Sequence, residues 1–255
     1  MTLVACLATI CGPISAIAQS SDAASNVAAS VEGHQTRNVH GWTVHVSDAL
    51  LADRPQEVEA ALPLIEKQLG EVARLLPAKP LAAVRTVPIW LSPTYDGVRP
   101  TAEYHPNAGW LKQNGRRPAL VRSVELTNVS ILPREHERMP MLMLHELAHA
   151  YHHQTLGFDD PRVIRVYDAA KQSGRYDAVR RRDGPGKAER VERAYAITNH
   201  KEYFAESTEA YFGRNDFFPY TREELKRHDP RMHDLVAKLW AVDANQAAGA
   251  PGAAR

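Results

Sequence analysis

The run Met141-Leu142-Met143-Leu144-His145-Glu146-Leu147-Ala148-His149-Ala150-Tyr151 contains one charged residue, Glu146. A helix lying on a protein surface carries a polar face. This run carries none beyond His145, Glu146 and His149, so it predicts a helix buried on both flanks that presents one polar triplet. Pro140 suits its first turn and Gly157 the position just past its end, giving a helix from about Met141 to Leu156. His145 and His149 are four apart and therefore share a face, one turn apart, where both imidazoles can reach one ion. Glu146 can point into the same cleft without ligating, placed to take a proton from water. Zinc suits imidazole and carboxylate ligands, and three of them leave a position open. His152 and His153 prolong the polar face and are expected to lie a turn beyond the ion.

The remaining composition is ordinary. The formal charge of +1 over 255 residues gives no footprint for nucleic acid, and no apolar run reaches the length of a membrane span. Residues 1–18 lack Asp, Glu, Lys and Arg and end in Ala16-Ile17-Ala18, which reads as a signal peptide cleaved after Ala18. A secreted or periplasmic location follows. Leu3-Val4-Ala5-Cys6 has some lipobox character, but too few residues precede it. Cys6 and Cys11 are the only cysteines, so the mature chain would hold any metal by His and carboxylate alone.

Residues 19–38 are rich in Ser and Ala and read as a flexible leader; 243–255 read as a disordered tail. Thr43–Ser47 alternates like a strand. Apolar residues at Val58, Leu62, Ile65, Leu69, Val72 and Leu76 make a helical stripe, opened by Asp53 as a cap and kinked at Pro63. Val87–Leu91 is a second strand, with Pro88 at an edge or a strand start. Residues 95–117 read as loop, and Leu120–Leu126 as a third strand. Arg180-Arg181-Arg182 reads as a solvated helix end running into an exposed loop rather than an anion site. Helices are expected over Asn199–Phe212 and from about Arg222 through Trp240.

A third metal ligand is expected from the first of these helix regions, Asn199–Phe212. Glu202 and Glu206 lie four apart on one face of it. Asn199 and Glu202 also fit a capping box, in which case Glu206 would ligate. The residues alone leave both open.

The stretch Tyr195-Ala196-Ile197-Thr198-Asn199-His200-Lys201-Glu202-Tyr203-Phe204-Ala205-Glu206 resembles the Tyr…Thr-Asn-x-x-Glu-aromatic-Phe-Ala-Glu segment of gluzincins of the anthrax lethal factor type, HExxH peptidases whose third ligand is a Glu. The likeness covers about 141–153 and 195–212. It implies one zinc ion on His145, His149 and Glu202, with Glu146 as general base. It implies Tyr195 as donor to the oxyanion and Glu206 as the carboxylate that orients a histidine ligand. The fold it implies is α+β and zincin-like over 39–242, a small mixed sheet above a helical lobe with the HExxH helix lining the cleft. The expected activity is hydrolysis of a peptide or protein substrate by zinc-activated water. Leu120–Leu126 would be the edge strand that pairs with substrate. The alternatives are a zinc-binding domain without turnover and an amidase acting on a non-peptide or cell-wall substrate.

Overall fold

The structure is a computed structural model that describes residues 31–242. The cleavage site expected after Ala18 and the tail from 243 lie outside them. The described chain is a mixed α+β structure.

It opens with a hairpin, β1 (His34–Val39) and β2 (Trp42–Ser47), paired antiparallel from His34↔Ser47 to Val39↔Trp42. The two loop residues, His40 and Gly41, have φ of +50° and +94°. Positive φ at both positions is what a hairpin turn matched to strand twist demands, and glycine supplies one of them without strain. The leader expected over 19–38 therefore ends early. Its polar composition hid β1 because an edge strand keeps much of its surface in water.

Ser47 caps α1 (Asp48–Asp53), and α2 (Pro55–Leu75) follows with Pro at its start. Asp53 ends α1 rather than capping α2. Val58, Ile65, Leu69 and Val72 are buried along one stripe of α2, as the sequence predicts, with Leu62 half-buried beside them and Leu76 buried just past the helix end. Pro63 sits inside α2 on its exposed side, where water can reach the Glu59 carbonyl that loses its partner. After α3 (Ala78–Arg85) come β3 (Ile89–Leu91), β4 (Ala102–Tyr104), α4 (Ala108–Gln113) and β5 (Val124–Leu126).

The sheet order is β1-β2-β3-β5-β4, with β2, β3 and β5 parallel and both outer strands antiparallel to their neighbours. Pro88 directly precedes β3, a strand-start position in the middle of the sheet. β5 is interior. The edge strand next to the helices is β4, which lies in the stretch read as loop, so the expectation that Leu120–Leu126 forms the edge is corrected. Three residues paired only through tertiary contact leave no periodic signal.

The rest is mostly helical. α5 (Leu132–Arg138) leads into α6 (Leu142–Tyr151), whose last turn widens to a π-helical segment over His152–Leu156 and stops at Gly157, φ +84°. Then come α7 (Pro161–Gln172), the hairpin β6 (Val179–Arg181) and β7 (Arg190–Glu192), α8 (His200–Phe212), α9 (Arg222–His228) and α10 (Pro230–Leu239). The last helical region is thus two helices, broken where Asp229 caps α10 and Pro230 begins it. Arg181 and Arg182 of the arginine run are tied down internally, to Glu192 and Asp216 and to Glu189.

α6 packs on α8, α2 and β4. Every residue of α6 except His149 is buried, which agrees with its uncharged sequence. Its first turn lacks a cap of its own; Gln68 of α2 supplies the acceptor, taking the Met143 N–H at 2.9 Å. No helix among the described residues is long and apolar enough to cross a membrane.

Candidate metal centre

α6 and α8 bring three donors to one point. His145 Nε2 lies 3.1 Å from His149 Nε2 and 3.2 Å from Glu202 Oε2, and His149 Nε2 is 3.2 Å from the same oxygen. The near-equilateral triangle is close to one face of a tetrahedron of nitrogen and oxygen donors about zinc, whose edges are about 3.4 Å for bonds of about 2.0–2.1 Å.

The chemistry of the triangle also fits a cation. His145 Nδ1 lies 2.7 Å from Glu209 Oε1, whose carboxylate invites the proton onto that nitrogen. The neutral ring then turns a lone pair, not a hydrogen, toward His149 and Glu202. Three lone pairs at about 3 Å call for a positive charge between them. In the metal-free chain protons play that part. Burial pushes His145 down, but the carboxylates of Glu202 and Glu209 outweigh it and hold it well above its usual value. Burial pushes Glu202 up, and its hydrogen bonds with His145 and His149 hold it well below the carboxylate range.

Glu202 is not a capping residue. Asn199 Oδ1 accepts from both Lys201 N and Glu202 N, at 2.9 and 3.0 Å, and so starts α8 alone. The Glu202 side chain is left free to reach the histidines. Asn199→Ala should lower stability by about 1 kcal/mol, measured by urea denaturation of the metal-free protein.

Glu146 is buried and turns to the sheet, where its Oε2 accepts the Tyr104 N–H of β4 at 2.9 Å. Burial pushes its carboxyl up to about 8, with the Glu202 charge adding to the rise and His145 and the Tyr104 N–H opposing it. Tyr195 sits on a short 3-10 turn before α8, 47% exposed, and lines the same cleft as His145 and Glu146.

Glu206 does not take its expected place. Its carboxylate is buried and accepts from Asn215 Nδ2 at 2.9 Å, while Glu209, one turn further along α8, holds His145. Glu202, Glu206 and Glu209 share one helical face, so the spacing was visible in the sequence. Which of the latter two meets Nδ1 depends on how α8 crosses α6, and no local pattern encodes that. Burial pushes the Glu206 carboxyl well up, and the charges of Asp216 and Glu209 add to the rise. His145, Glu206 and Glu209 also lie within 4.8 Å of one another. Because they share His145 with the first triangle, they form the outer layer of the same centre.

His152 and His153 stay outside the cluster, as the sequence predicts. His153 Nδ1 meets the Tyr104 hydroxyl at 2.9 Å. His152 is fully buried against Phe158, His200 and Phe204.

The cluster opens on a cleft of about 320 Å³ at its centre, bounded by β4, Tyr195, Phe158 and Lys201. The cleft continues both ways along β4. One arm passes Tyr104 and His153 to Trp110; the other passes Thr101 and Ala102 to Arg99, Arg138 and Arg181.

No protein-family model, no curated protein and no solved structure matches this chain.

Proposed function

We propose that this chain is a zinc-dependent endopeptidase of zincin-like fold, with one ion held by His145, His149 and Glu202. The observation that carries the reading is the donor triangle beside a buried carboxylate that does not belong to it. Three ligands and a separate proton acceptor form the set needed for hydrolysis; a fourth protein ligand would mark a structural site. His152 and His153, the candidates for a fourth ligand, lie elsewhere.

When bound, zinc supplies a Lewis acid that lowers the pKa of water to roughly 7. Glu146, fixed by the Tyr104 N–H, takes the proton of the attacking water and passes it to the leaving amine. The Tyr195 hydroxyl donates to the carbonyl oxygen as negative charge develops there.

The substrate class follows from β4. Thr101 and His105 bond across to Thr127 and Ser123 on the β5 side, whereas the Tyr104 N–H points the other way, to Glu146. Strand alternation puts Ala102 in phase with Tyr104, with its peptide groups turned to the cleft. An extended peptide can add to that edge and lay its scissile bond over the metal. This favours a peptide over a cell-wall amide or a binding domain without turnover. Export, read from residues 1–18, belongs to the same proposal.

The test is metal analysis of the purified mature protein together with mass-spectrometric profiling of a peptide library. One zinc per chain and discrete internal cleavages are expected. A protein that holds zinc and cuts no peptide would overturn the peptidase reading.

A further inference from the structure

The two arms of the cleft differ in chemistry. At one end Trp110 of α4 stands 40% exposed, its ring stacked 5.7 Å from His105 and lying 5.9 Å from the Arg116 guanidinium. Together with Tyr104, His153 and Phe158 it lines a recess. An exposed indole beside a recess offers a bound chain a large aromatic contact area at low entropic cost.

The other arm broadens beyond Arg99 and Arg138 into a groove of about 800 Å³ whose lining carries six cationic side chains and three carboxylates. Most of these neutralise one another. Arg138 pairs with Glu135 and Asp216, Arg181 with Asp216 and Glu192, and Arg190 with Asp183. Arg99, Arg134 and Lys187 line the groove, are exposed, and have no ion-pair partner among the described residues. Glu137 is the one groove carboxylate likewise without an ion pair. Three unneutralised cations thus face one unneutralised anion in a concave wall, which focuses a positive field onto whatever lies there.

We infer that the cleft selects an extended peptide with a large apolar or aromatic side chain at the Trp110 end and acidic side chains at the Arg99–Arg134–Lys187 end. This rests on the peptidase reading, which names the site but not its specificity. The metal and the β4 edge fix the peptide backbone. The two arms, on opposite sides of the scissile bond, read its side chains. A charged groove of this kind acts chiefly on association and on discrimination against the wrong charge.

The experiment separates the two levels. Fluorescein-labelled dodecapeptides would carry Phe on one side of the centre and Glu-Glu, Gln-Gln or Lys-Lys on the other, each made in both chain directions. Binding to Glu146→Gln protein is read by anisotropy, and cleavage by the wild type by mass spectrometry. In one chain direction the Glu-Glu peptide should bind roughly tenfold more tightly than Gln-Gln, with Lys-Lys weakest. The gap should close in high salt and in the double variant Arg99→Glu, Lys187→Glu, but not in Arg74→Glu, an exposed change on α2. Trp110→Ala should weaken binding of all three peptides. Equal binding of the three peptides in both directions overturns the acidic preference, and so does displacement of the Glu-Glu peptide by a heparin oligosaccharide at far lower concentration. Unchanged binding to Trp110→Ala overturns the apolar half. Cleavage without charge preference removes the groove assignment and leaves the peptidase. Charge-selective binding without cleavage does the reverse.

Discussion

Glu146→Gln should reduce peptide cleavage by about 10²- to 10⁴-fold and leave one zinc per chain. Gln is isosteric and can still accept the Tyr104 N–H through its side-chain oxygen, so the bond at 2.9 Å and the position of α6 against β4 survive. What is lost is the capacity to take up a proton. The zinc count controls for damage to the centre, because Glu146 contributes no atom to the donor triangle. Retained turnover would remove Glu146 as the base.

The same variant has an opposite effect on stability. Folded Glu146 binds its proton more tightly than the unfolded residue does, since burial raises it to about 8 from 4.5. The metal-free protein is therefore favoured at low pH by this group and loses that stability as pH rises from about 4.5 toward 8. Gln removes the titration. Urea midpoints of metal-free wild type and variant should match near pH 4.5 and diverge in the variant's favour by pH 8. A carboxylate kept where folding disfavours its charge is one the fold would discard if packing alone decided.

The parts of this protein that were legible in the sequence are those written along one element. The uncharged flanks of His145-Glu146-Leu147-Ala148-His149 foretold a helix buried on both sides. The α2 stripe foretold its inner face, and Asn199 its cap on α8. The pair Glu202 and Glu206 was visible as a spacing, and the spacing continues to Glu209. What the sequence hid is what depends on two elements meeting. β4 is a strand because β5 and Glu146 hold it, not because Ala102-Glu103-Tyr104 prefers to extend. β1 is too polar to announce itself and exists by pairing with β2. β6 and β7 sit in a charged stretch whose ion pairs only the folded chain assembles.

The exchange of Glu206 for Glu209 as the carboxylate beside His145 is the sharpest case, and under the proposed zinc site it gives a prediction with a sign. Glu209→Gln should weaken zinc binding by about 10- to 100-fold, the usual cost of losing a carboxylate that orients a histidine ligand. In the proposed site the 2.7 Å contact at His145 Nδ1 favours the tautomer whose Nε2 lone pair is free to ligate, and an amide does this less well because its NH₂ can compete for the same nitrogen. Glu206→Gln should change zinc affinity by no more than about threefold, since its carboxyl is turned to Asn215 in a hydrogen bond that can persist in the amide, and burial and Asp216 already disfavour its charge. Competition titrations against a zinc chelator measure both. If Glu206→Gln proved the more damaging of the two, the assignment suggested by the gluzincin likeness would return, and the His145–Glu209 bond would be packing rather than orientation. The expected order places that role on α8 one turn later than the likeness implies, at the residue that faces His145 when α8 crosses α6.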